Sequence, residues 1–68
     1  MMYEVRVTIH NSPNSIRGWI YLVSADTKEE AIDDALGFAQ AKANRKYSRF
    51  KRCTFSVEDK DVIEKPNW

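Results

Sequence analysis

Only one stretch of this chain carries a helical period, so only one side of whatever the other segments build can be covered. In "SADTKEEAIDDALGFAQAKANRK", residues 24–46, a step of about 100° per residue gathers Ile32, Ala35, Leu36, Ala39 and Ala43 on one face. Tyr47 extends that face, and Phe38 and Ala31 stand on its shoulder. The helix is expected over 27–47. Asp26 with Glu29, and Thr27 with Glu30, each have the spacing of a capping box. Acids fill the first turns and bases the last, so both ends complement the helix dipole. Small residues down the middle of the stripe let such a helix lie close on a sheet. Gly37 points away from the stripe and costs about 1 kcal/mol of helix propensity.

The segments around the helix alternate instead. Met2–His10 reads M-Y-E-V-R-V-T-I-H, with Tyr3, Val5, Val7 and Ile9 on one parity, the mark of a half-buried strand. "NSPNS" puts Pro13 among turn formers, where the chain should reverse. A second strand is expected over 17–24. It is apolar on both parities, and Gly18 at its start is placed for a bulge. A third, over 51–58, sets Cys53, Phe55 and Val57 against Arg52, Thr54, Ser56 and Glu58. In the tail, 59–68, Val62 and Ile63 can form a short extra strand or pack at an edge, and Pro66 ends either arrangement. The order β-β-α-β with a right-handed crossover predicts an α+β, two-layer fold. Its three-stranded sheet has order 2-1-3, with one helix packed on one face.

At 68 residues the chain is one small domain, 1–68, that buries only roughly 60% of its unfolded surface. No repeat, low-complexity tract or linker interrupts it. No apolar run reaches the length of a membrane-spanning helix, so no membrane partner is expected. "MMYEVRVTIH" alternates from its first residues, unlike a secretory leader, and the expected location is the cytoplasm. The single cysteine, Cys53, allows no internal disulfide and no cysteine-based zinc site, and its place between apolar neighbours reads as a small buried hydrophobe. Net charge is only +1, but it is segregated. Five acids and one lysine lie in 26–34, and six bases with no acid lie in 42–52.

Two surfaces stand out. If the helix covers Tyr3, Val5, Val7 and Ile9 together with Ile20, Leu22, Cys53, Phe55 and Val57, the opposite face is bare. That face then presents Trp19 and Tyr21 beside Arg6 and Arg52, with Thr8, His10, Val23, Thr54 and Ser56 around them. Rings flanked by arginines suit unpaired bases. They also suit a protein contact, or a homodimer that enlarges a meagre core. The alternative is that Trp19 and Tyr21 turn inward and Ile20 and Leu22 are partly exposed. The second surface is "KANRKYSRFKR", where Lys42, Arg45, Lys46, Arg49 and Lys51 form a basic patch with Tyr47 and Phe50 interleaved. It reads as phosphate contact, or as the basic end of a helix in electrostatic balance. The acidic patch on the same helix would repel a long polyanion following its axis, and an acidic protein is as good a partner.

Conventional reaction chemistry finds no foothold. His10 is the sole histidine, Asp33 and Asp34 read as a solvated face, and the two glycines stand too far apart for a phosphate loop. No catalytic residue, metal or cofactor is expected, and the protein is read as not an enzyme. The run Tyr3 to Ala39, "YEVRVTI … GWIYLVSADTKEEAIDDALGFA", resembles small uncharacterised proteins of phages and mobile elements. They share a hairpin and a helix start of the form Ala-x-(Ser/Thr)-x-Glu-Glu-Ala, here Ala25 to Ala31. The resemblance implies a stoichiometric binder or inhibitor of a host protein or nucleoprotein complex, acting in the host cytoplasm. The expectation is therefore a non-enzymatic interaction module. Direct binding of single-stranded nucleic acid and an oligomerising structural role are its alternatives.

Overall fold

The computed structural model describes residues 1–11, 14–46, 50 and 52–66, with backbone alone for 11 and 14–17. Strands β1 (Met2–Asn11) and β2 (Asn14–Ser24) form a long antiparallel hairpin whose register runs from Met2↔Ser24 to Asn11↔Asn14. The reversal expected at Pro13 falls on 12 and 13, outside the described residues. Helix α1 (Lys28–Arg45) follows, then β3 (Thr54–Ser56), a short 3-10 turn (Asp59–Asp61) and β4 (Val62–Lys65). β1 is the centre of the sheet. β2 occupies one of its edges, while β3 beside Thr8–His10 and β4 beside Met2–Val5 share the other, end to end. β3 is antiparallel to β1 and therefore parallel to β2, the order and crossover expected from a β-β-α-β chain.

The third strand is shorter than the alternation implies. After Ser56 the backbone leaves the ladder for the 3-10 turn, where Lys28 Nζ at the helix start lies 3.5 Å from Asp59 Oδ1. It then rejoins β1 as β4, so the tail around Val62 and Ile63 is a strand.

Of the two capping-box spacings, the helix uses Thr27 and Glu30. Thr27 Oγ1 accepts the Glu30 N–H at 3.2 Å, and Glu30 Oε2 accepts the Asp26 N–H at 3.2 Å. At the far end the Lys46 N–H closes on the Lys42 carbonyl at 2.9 Å. Tyr47, expected to extend the packed stripe, lies outside the described residues.

The two layers meet through alanine. Ala31, Ala35, Ala39 and Ala43 recur every fourth residue and are fully buried, the first three against a face built by Tyr3, Val5, Val7 and Val23. The stripe is turned toward Ala31 relative to the expected one, leaving Ile32 half-buried and Phe38 52% exposed. Methyl groups along this line let the helix lie close to β1. The wedges on either flank then take longer side chains, and this decides which parity of β2 turns inward.

Here the expected orientation is corrected. Trp19 and Tyr21 lie on the helix side, packed against the core, while Ile20 and Leu22 are 57% and 48% exposed on the bare face. Burying two rings and Val23 removes more apolar surface than burying an isoleucine and a leucine. Ring contacts add to it. Trp19 lies 6.1 Å from Phe55 in a stacked arrangement and 6.1 Å from Phe50 edge-on, and Tyr21 lies 5.8 Å from Phe38. Such pairs are worth about 0.5–1.5 kcal/mol beyond their area. Cys53 is half-buried rather than a core residue.

A bulge sets that parity. Arg6 pairs with Ile20 and Thr8 with Arg17, so Gly18 and Trp19 together oppose Val7. A Cβ on Gly18 would lie 2.8 Å from the Val7 carbonyl oxygen and 2.8 Å from Ile9 Cγ1. Only glycine lets the bulged backbone press this closely on β1. Gly37 has nothing within 4 Å of its ideal Cβ. In urea denaturation, Gly18→Ala should cost about 1–3 kcal/mol, whereas Gly37→Ala should gain up to about 1 kcal/mol.

Candidate functional site

β2 hydrogen-bonds only to β1 among the described residues, so its outer edge is open. Above that edge rises the Phe38 flank of α1. Spacings of three and four residues align Phe38, Ala41, Lys42 and Arg45 along it, and with Lys46 and Tyr21 they line a groove of about 340 Å³. Tyr21 and Phe38 give it an aromatic wall. Lys42, Arg45 and Lys46 give it a cationic one.

Lys42 Nζ lies 4.9 Å from the Trp19 ring centroid and 6.0 Å from that of Tyr21, within cation–π range of both. Arg45 and Lys46 are exposed, and no carboxylate pairs with either among the described residues. The nearest acid on the same flank is Asp34, one turn before Phe38 and about 16 Å along the axis from Arg45 at about 1.5 Å per residue. That separation is about twice the Debye length at physiological salt. The Asp34 charge is therefore largely screened from Arg45. The helix is polarised along this flank, acidic near Val23 of β2 and basic near Trp19.

The Tyr21 hydroxyl is shielded from solvent and has no hydrogen-bond partner among the described residues. Burial pushes its pKa above the ordinary value of 10.0. The phenol is a donor held at the groove wall with nothing described to receive it.

The expected site residues divide. Lys42, Arg45 and Lys46 of the basic patch come together in the groove, while Arg49 and Lys51 lie outside the described residues. Tyr21 joins them on the helix side, and Trp19 lies beneath Lys42 as part of the core rather than as an exposed anchor. Arg52 is exposed in the turn before β3 and takes no part in the groove. Arg6 is on the bare face, with Nε 3.8 Å from Glu4 Oε2, while Glu4 Oε1 also lies 3.9 Å from Lys65 Nζ. That face therefore carries an ion cluster among Ile20, Leu22 and Ile63. The aromatic surface expected there, on which base stacking and dimerisation both depended, is absent among the described residues.

Phe38 was legible as a helix-shoulder residue but not as a groove wall. Its spacing to Lys42 and Arg45, i+4 and i+7, is the signal that places it there. The register also makes one pairing that the sequence hid: His10 Nε2 hydrogen-bonds to Ser56 Oγ across β1 and β3. A serine and a base in reach are the beginning of a nucleophilic site. These two stand on the bare sheet face, away from the groove. No group of three or more His, Cys, Asp or Glu side chains gathers to hold a metal among the described residues, and no described helix is long and apolar enough to cross a membrane.

The chain matches no protein-family model, and no curated protein or solved structure is similar to it.

The Tyr21 hydroxyl yields a direct prediction. Tyr21→Phe removes an unsatisfied donor and should leave stability to urea unchanged or raise it by about 1 kcal/mol. In the wild type the raised pKa means that above pH 10 the unfolded chain releases this proton before the folded one does. Stability should therefore fall as pH rises through the folded value, and a pH series should show a shallower alkaline loss in Tyr21→Phe.

Proposed function

We propose that the protein is a non-enzymatic interaction module that holds an anionic stretch of a partner protein in the cationic groove between β2 and α1. The observation that carries this reading is the convergence of Lys42, Arg45 and Lys46 on an aromatic-walled groove, with Arg45 and Lys46 lacking a described carboxylate. Three cations at one rim attract an anion and steer its approach. The Phe38 ring, half in water, supplies apolar contact that a purely ionic patch lacks.

A protein, alone or within a nucleoprotein complex, fits better than bare nucleic acid. The Trp19 ring is already engaged by Phe50, Phe55 and Lys42, and the Tyr21 ring by Phe38 and Lys42, which leaves less ring surface on which a base can stack. The acids at the other end of the helix also oppose a polyanion longer than the groove.

The test compares two double charge reversals with the same change in net charge. Arg45→Glu with Lys46→Glu lies in the groove, and Arg52→Glu with Lys60→Glu lies outside it. On immobilised polyglutamate at low salt, the groove reversal should weaken binding at least about tenfold while the control stays near wild type. Equal losses would reduce the effect to net charge, and no loss in either would end the groove reading. An oligothymidylate of matched charge, followed by anisotropy across a salt series, checks partner class. Tighter binding than polyglutamate, with the steep slope of counterion release, would move the assignment to nucleic acid.

A further inference from the structure

We infer that the groove takes its partner as an added β-strand, an extended segment that pairs with the open edge of β2 and carries its acids at one end of one face. This rests on the groove reading above and specifies the occupant's form and sequence pattern.

The first ground is the edge itself. β2 spans Asn14–Ser24, and among the described residues its outer side has no strand beside it. An open edge directs every second N–H and C=O outward as a template for another chain. Natural edges are usually blunted by proline or by inward-pointing charge. From Trp19 to Val23 this one has neither, reading W-I-Y-L-V.

The second ground is what an added strand would meet on its two faces. Its side chains alternate. Those on the helix side would lie between Tyr21 and the Phe38 flank, against Lys42, Arg45 and Lys46. Those on the other side would lie beside Ile20 and Leu22, which are exposed on the bare face. The edge therefore asks for acids on one parity and aliphatic residues on the other. A single occupant accounts for both Arg45 and Lys46, which pair with no described carboxylate, and the exposed aliphatics of β2.

The third ground is direction. Trp19 is beneath Lys42, and Tyr21 contacts Phe38, so α1 runs antiparallel to β2. The cations stand at the Trp19 end, and Asp34 lies on the same flank toward the Val23 end. Acids belong beside Trp19 and Tyr21 and would be repelled beside Val23. Antiparallel pairing is the more stable per residue, which puts the occupant's acids toward its C-terminus. The preferred pattern is Thr-Val-Thr-Val-Glu-Val-Glu, with the glutamates and threonines facing the helix.

The probe is that peptide, labelled, set against its reversed sequence and against a version with the glutamates in one block. Anisotropy should show the forward peptide binding about tenfold tighter than either control. Amide exchange should slow at alternate residues of 19–23. N-methylation of the peptide amides that face β2 should weaken binding about tenfold, since each removes a backbone hydrogen bond, whereas methylating the outward ones should not. The protein itself is unaltered in this comparison, so loss of binding cannot come from misfolding. If all three peptides bind alike and the β2 amides exchange as before, strand addition is wrong although the anion groove stands. If neither the peptides nor polyglutamate bind, the groove reading falls as well.

Discussion

The seating of a line of alanine methyl groups on one face of the sheet governs the rest of the molecule. Ala31, Ala35, Ala39 and Ala43 are all fully buried, and no larger side chain on that line holds the helix off the sheet. A close helix leaves little volume directly above Val5 and Val7 and more on the flanks. On the β2 side that volume takes Trp19 and Tyr21, and across β1 it takes Leu36, Phe55, Val57 and Val62. In a chain of this size, with a thin core, the flanking aromatics supply much of the buried apolar area. The bulge at Gly18 sets the parity that lets Trp19 reach inward.

The groove is a consequence of that packing. Once Tyr21 lies under the edge of α1, Phe38 meets it from above and Lys42 extends over both rings of β2. The bases of the last turns then stand at the rim because a helix end favours positive charge there. Charge placement that stabilises an isolated helix thus becomes, beside an open strand edge, a place where an anion can sit. The acidic half of the same helix would oppose a run of negative charge longer than the basic turns.

Much of the architecture was legible in the sequence because period and spacing are local properties. The alternation in Met2–His10, the single helical stripe and the caps around Thr27 and Glu30 led to strand, helix and order without tertiary knowledge. The face taken by β2 was not legible, since Trp19, Tyr21 and Val23 compete with Ile20 and Leu22 on adjacent parities. Periodicity cannot decide between two apolar parities; the volume beside an alanine stripe does. The same ambiguity explains why Lys42, Arg45 and Lys46 could be gathered as a basic patch while their aromatic wall was placed on the wrong side of the sheet. The pairing of His10 with Ser56, residues far apart along the chain, depends on β1–β3 register and had no local signal.

The direction of the β2 side chains is therefore the point at which the account is most exposed. Methyl NOEs from Ala35 and Ala39, read in a selectively labelled sample, test it without any partner. The packing described here predicts contacts from these methyls to Val5, Val7 and the Tyr21 ring, with the Lys42 ε-methylene shifted upfield by the Trp19 indole. Strong contacts from Ala35 and Ala39 to the Ile20 and Leu22 methyls, with Trp19 and Tyr21 open to water, would contradict it and remove the wall on which the groove depends.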